Sequence, residues 1–235
     1  MLKRDKNYKF YFLIFWRKMN LETYLLSIKT AVIIFLIVVS IVSIPFLLWQ
    51  YKKYGYIHYF HTFIVYSLLL YGISSYCLVI FPLPTTFNTC SIQKLGMQHY
   101  SLVPFTFVAD FFRETNVIWN SPMTYAKIFK ERGFIQVVCN MMLLLPLGIY
   151  LRYYFCYKIL QTLLIISSVS LFFEITQLTG VYGLYNCPYR LFDIDDIILN
   201  TSGGIMGFYV FSIISWFSYN KKTTSNNKEL SIQKL

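Results

Sequence analysis

The sequence predicts an all-α fold: a polytopic membrane helix bundle of about five transmembrane helices, with a long interfacial loop between the second and third. Three observations carry that prediction. Hydrophobic residues make up 57% of the 235, only 13% are charged, and the mean hydropathy is +0.52, where a soluble domain carries about 25% charged residues. So much apolar matter exceeds what one core could hide, which makes lipid the solvent. Apolar runs of about 20 residues, the length that crosses a hydrocarbon core, recur five times along the chain. The net charge of +11 lies between those runs and not on one face, the arrangement of membrane anchors and not of a nucleic-acid footprint. No nucleic-acid partner is expected.

Residues 1–24 read as a basic, aromatic N-terminal extension, with Lys3, Arg4, Lys6, Lys9, Arg17 and Lys18 around the run Tyr8 to Trp16. Nine residues of helix reach only about 14 Å, so this run is interfacial at most. It is a poor signal peptide, because no small-residue cleavage site follows it. Residues 25–58 hold the first span, about Thr30 to Trp49, closed by Lys52 and Lys53, and its loop. Residues 59–217 form the main membrane domain. Its first span, about Tyr59 to Phe81, carries Tyr66, Ser67, Tyr71, Ser74, Ser75 and Tyr76 and ends at Pro82 and Pro84.

Residues 85–133 are the one long connection. Within it Tyr100 to Arg113 is apolar but too short to span, and either lies in the interface or re-enters the bundle. The third span, about Phe134 to Tyr150, contains Asn140, Pro146 and Gly148; the fourth, about Ile159 to Leu178, carries Glu174 and Gln177. The fifth, about Ile197 to Phe217, ends at Lys221 and Lys222. Residues 218–235 are a polar tail expected to be disordered. The 22 Phe and 21 Tyr suit a membrane core and its interface belts.

The five cysteines are scattered, with no CxxC, and the histidines do not cluster with them, so no zinc site is indicated. A Cys90–Cys187 disulfide would need both loops on an oxidising side and is not expected. No metal and no cofactor are predicted. Charge gives two answers on orientation. The basic N-terminus argues for that end inside. The short connections with Lys52/Lys53 and Arg152/Lys158 share the opposite face with the basic C-terminus, and short loops weigh more. The acidic loop Tyr182 to Asp196 is therefore expected outside.

Residues 134 to 228 contain four acids, Glu174, Asp193, Asp195 and Asp196, all at the junction of the last two spans. Glu174 and Gln177, three apart, share a helix face. Asp193, Asp196 and Asn200 form a second stripe that continues into Gly203, Gly204 and Gly207, a small-residue seam for close helix packing. Ionisable residues in membrane segments face a partner or a watery pocket and mark function by default. The candidate ligand-binding pocket is Asn140, Glu174, Gln177, Arg190, Asp193, Asp196 and Asn200. The bland alternative is a salt-bridged cap of Arg190 with Asp193 and Asp196, with Asn140 as an interhelical pin. Asp195, out of phase with the stripe, reads as a solvated cap. A divalent cation on the three aspartates has only their spacing in its favour.

Four pieces in order carry a resemblance: Leu102-Val-Pro-Phe105; Asn140-Met-Met-Leu-Leu-Leu-Pro-Leu-Gly148; Phe173-Glu-Ile-Thr-Gln177; and Arg190-Leu-Phe-Asp-Ile-Asp-Asp-Ile-Ile-Leu-Asn200 followed by Gly203-Gly204. Over roughly residues 60 to 215 the chain resembles the VanZ-like family of bacterial membrane proteins. The family's name-giving member is a determinant of low-level resistance to teicoplanin, a glycopeptide that binds cell-wall precursors. The resemblance implies a protein of the bacterial cytoplasmic membrane acting on or near envelope lipids or glycopeptides, and carries over no catalytic role. Three functions stay open. One is a non-enzymatic protein whose pocket binds membrane lipids, a cell-wall lipid intermediate or a glycopeptide. Another is an intramembrane carboxylate-dependent enzyme on a lipid-linked substrate, with Glu174 or Asp196 as acid or base. The last is a structural or accessory subunit. The sequence does not determine the oligomeric state.

Overall fold

A computed structural model describes residues 21–81, 83–84, 89–90, 100–115, 125, 128–129 and 131–232. The N-terminal run Tyr8 to Trp16 lies outside them. The elements in order are α1 (Leu21–Tyr54), α2 (Tyr59–Ile80), β1 (Tyr100–Ser101), α3 (Thr106–Glu114), α4 (Arg132–Tyr153), α5 (Ile159–Leu178), β2 (Phe192–Asp193) and α6 (Ile194–Ile232). Among the described residues five helices are long and apolar enough to cross a membrane: Leu25–Tyr54, Tyr59–Ile80, Gly133–Tyr153, Ile159–Leu178 and Ile194–Ser218. This is the polytopic all-α architecture the composition predicts. The large apolar side chains that remain exposed, such as Ile33, Ile41, Ile44, Leu160 and Ile213, are those a bilayer would cover.

The chain divides into two compact units, Met1–His99 with Thr176–Leu191, and Tyr100–Ile175 with Phe192–Leu235. In the first, α1 and α2 form an antiparallel pair joined by a four-residue turn. Gly55, at φ +77, takes the left-handed position that ends α1, and its N–H donates to Tyr51 O (2.8 Å). Buried Gln50 then locks the turn. Its Nε2 donates to Thr62 Oγ1 (3.0 Å), and its Oε1 accepts the His58 N–H (3.0 Å). Deeper along the pair Tyr66 donates to Ser43 Oγ (2.8 Å). The polar residues that make α2 wetter than α1 thus include the ones that hold the pair.

In the second unit α4 and α6 meet backbone to backbone. A Cβ added at Gly203 would lie 1.8 Å from Met141 O, at Gly207 2.1 Å from Leu145 O, and at Gly148 1.8 Å from Gly204 O. Only glycine allows so close an approach, which trades side-chain burial for dense main-chain contact. A Cβ at Gly204 would lie 2.3 Å from Ile166 on α5, so the third glycine of this segment accommodates a different helix. A short parallel bridge pairs Tyr100 with Phe192 and Ser101 with Asp193.

Two features add detail at the end of the chain and between the second and third spans. The tail is helical as far as Ile232. No Gly or Pro falls between Phe208 and Ile232, and extending an existing helix avoids the cost of nucleation. Within the long connection between the second and third spans lie β1 and α3.

Candidate functional site

Glu174 stands at the end of α5 and is buried. Its Oε2 accepts the backbone N–H of Asp193 at 3.1 Å. Asp193 immediately precedes α6, and its Oδ1 accepts the N–H of Asp195 at 3.0 Å, the bond a helix N-cap makes to one of the four orphan donors of a helix start. Asp196 Oδ1 accepts from Asn140 Nδ2 of α4. The bland reading of Asn140 as an interhelical pin and the site reading thus meet in one contact. Asn200, a turn further in, donates from Nδ2 to Ser170 Oγ of α5 at 3.0 Å. Its Oδ1 is buried with no hydrogen-bond partner, and the side chain is only 3% exposed.

Asp195 departs from expectation. It is buried, not solvated, and it caps a helix other than its own. Its Oδ1 accepts from Phe105 N (2.6 Å), and its Oδ2 accepts from Thr106 Oγ1 (2.6 Å) and Phe107 N (3.0 Å). These are the first donors of α3, whose own N-cap position is Phe105 in the left-handed region (φ 61) with no side-chain cap. An anion there satisfies orphan N–H groups and favours the positive end of the helix dipole. Contacts to a residue ninety positions away leave no local trace in the sequence, which is why the spacing argument missed them.

Gln177 and Arg190 belong to the first unit and converge on the carbonyl end of α2. Gln177 Nε2 and Arg190 Nη1 both donate to Val79 O (2.9 Å each), and Arg190 Nη2 donates to Phe81 O (3.3 Å). Tyr189 donates to Ile80 O (3.1 Å) and Tyr185 to Pro84 O (3.3 Å). The last carbonyls of a helix have no partner within it, and no water reaches them inside a bilayer. Pro82 and Pro84 cannot donate to them either. The segment Tyr185–Arg190 supplies the missing donors. Burial, partly offset by Arg190, pushes the Tyr189 phenol up to about 12.

The same segment is stapled covalently. Cys90 and Cys187 form a disulfide, contrary to expectation. Buried Thr89 accepts the Cys187 N–H (3.1 Å) and donates to Cys187 O, which brings two loops together that the sequence separates by 97 residues. Before the staple the chain makes a left-handed turn from Gly180 to Gly183, in which Val181 and Tyr182 also adopt φ 57.

Sequence reasoning grouped seven residues. The structure pairs Asn140 with Asp196, Glu174 with Asp193, and Gln177 with Arg190 at one carbonyl, while Asn200 pairs with Ser170. Ser170 was missed, as were Thr106, Tyr185 and Tyr189. A helical wheel could have found Ser170, because Ser170, Glu174 and Gln177 lie four and three apart on one stripe. Among the described residues no group of three His, Cys, Asp or Glu side chains is placed to hold a metal ion.

Five spans, a glycine-packed helix pair and carboxylates gathered where α5 gives way to α6 define a multi-pass helical membrane protein. The VanZ/LLP1 family model matches residues 63–215, nearly two-thirds of the chain, with the carboxylate junction inside the match. The chain belongs to the VanZ/LLP1 family. No curated protein and no solved structure matches it.

Proposed function

We propose that the chain is a multi-pass protein of the bacterial cytoplasmic membrane that contributes to tolerance of teicoplanin-type glycopeptides. In this reading it binds an envelope lipid or lipid-linked cell-wall intermediate at the carboxylate-bearing end of its helices and catalyses no reaction. Membership of the VanZ/LLP1 family supports the setting. The Cys90–Cys187 disulfide supports an outward-facing site, because disulfides persist in oxidising compartments and Cys187 lies in the loop that runs into α6. The observation that carries the reading is the buried Asn200 Oδ1, an acceptor without a donor, beside α5 residues Ser170 and, one turn on, Glu174. Such an atom costs free energy unless something donates to it. A hydroxyl, amide or ammonium group on a ligand head would do so.

A second reading is favoured by a specific observation. Glu174, Asp193 and Asp195 each accept from backbone N–H groups, the behaviour of structural locks. A panel of Glu174→Gln, Asp196→Asn and Asn200→Ala at matched expression separates the two. Binding predicts that teicoplanin tolerance falls while the thermal midpoint of Asn200→Ala holds. Full tolerance in all three variants sinks the binding reading, and a tolerance that only tracks thermal stability favours the lock.

A further inference from the structure

We infer that α3 is an in-plane helix seated in the lipid leaflet, a phospholipid-binding lip beside the start of α6, and not a segment that re-enters the bundle. The inference rests on the spanning fold alone and is independent of what the carboxylate end binds.

The exposure pattern of α3 is that of a soluble amphipathic helix turned inside out. Phe105, Val108, Ala109 and Phe112 follow the i, i+3, i+4, i+7 spacing of one helix face, and all are exposed, the three large ones at 58%, 40% and 60%. Two of its polar residues face the other way: Thr106 is buried and Asp110 half-buried. On that inner side Phe111 lies against the start of α4, 3.9 Å from where a Cβ on Gly133 would be. Leu102 and Val103, also exposed, extend the apolar stripe ahead of the helix. In water so continuous an apolar face would be a liability.

Position and length point to lipid as the occupant. Asp195 lies in the first turn of α6, whose apolar span begins at Ile194. By holding the N–H groups of Phe105 and Phe107, its carboxylate fixes the start of α3 at the mouth of that span, the level of the headgroup and acyl-chain boundary. Nine residues of helix reach about 14 Å, too short to cross. Arg113 is exposed in the last turn, where its guanidinium can pair with a lipid phosphate. Acyl chains take the stripe, and the phosphate layer takes its polar end.

The test uses the full chain in phospholipid vesicles, with Trp16, Trp49, Trp119 and Trp216 replaced by Phe and a single reporter introduced as V108W, F112W or F111W. Lipids brominated near the upper part of the acyl chain should remove most of the emission of V108W and F112W but little of that of F111W, and iodide in the buffer should quench none of them. If F111W does not accumulate, F107W serves as the inward control. Iodide quenching of V108W and F112W would place the stripe in water. Protection from both quenchers would put protein, such as a second copy, over it. Equal bromine quenching on the inner and outer faces would mean that α3 is not held as the structure holds it. Any of these three overturns the inference.

Discussion

Each acid of the α5–α6 junction is used by the fold. Asp195 shows the economy best, accepting three hydrogen bonds through two oxygens and supplying the cap that α3 lacks. Removing a capping Asp costs roughly 0.5–2 kcal/mol, and here burial keeps water from replacing it. Tyr189 gives this scale its pH dependence. Its phenol is lifted from 10.0 to about 12 in the fold. A raised folded-state value means that its stabilising contribution is complete below pH 10 and is lost as pH rises from 10 to about 12. Two pKa units correspond to roughly 2–3 kcal/mol. We expect the thermal midpoint of the wild-type protein to fall steeply over that window, and that of Tyr189→Phe, lower at neutral pH for want of the bond to Ile80 O, to fall less. Parallel declines in the two proteins would contradict this. The scarcity of acids made Glu174, Asp193 and Asp196 legible in the sequence. The contacts of Arg190 with the α2 carbonyls and of Asp195 with the start of α3 were illegible, because they join segments far apart in the chain.

Among the elements, the pairing of α4 with α6 is the most demanding. Gly203 and Gly207 on α6 and Gly148 on α4 allow main chains to touch, so the interface has no slack for a methyl group. Overpacking typically costs about 1–3 kcal/mol, and at Gly203 the obstacle is a carbonyl of Met141, which cannot swing aside as a side chain would. Gly203→Ala should therefore lower the thermal midpoint in detergent by more than Gly72→Ala, where nothing lies within 4 Å of an added Cβ. Equal effects of the two substitutions would argue against the close approach. The small-residue spacing was readable in the sequence, as were the span boundaries wherever Lys, Arg or Pro ended an apolar run. The nine-residue helix α3 was not, since its start is set by Asp195 and not by a capping residue of its own.

Over the whole molecule, the fold class followed from composition, while sidedness did not, because the basic N-terminus and the short basic loops give opposite answers. The Cys90–Cys187 disulfide favours the proposed outward-facing orientation. It links the segment after α2 to the loop that runs into α6, and in the proposed reading that loop lies on the oxidising face. On that reading the short connections with Lys52, Lys53, Arg152 and Lys158 are expected inside, as the positive-inside tendency favours. The most direct test is thiol labelling on intact cells of a variant in which Cys77, Cys139 and Cys156 are Ser. A membrane-impermeant maleimide should label the protein only after treatment with a membrane-impermeant reductant. Labelling without reduction, or labelling that appears only once the membrane is permeabilised, would contradict an outward-facing, disulfide-stapled carboxylate end.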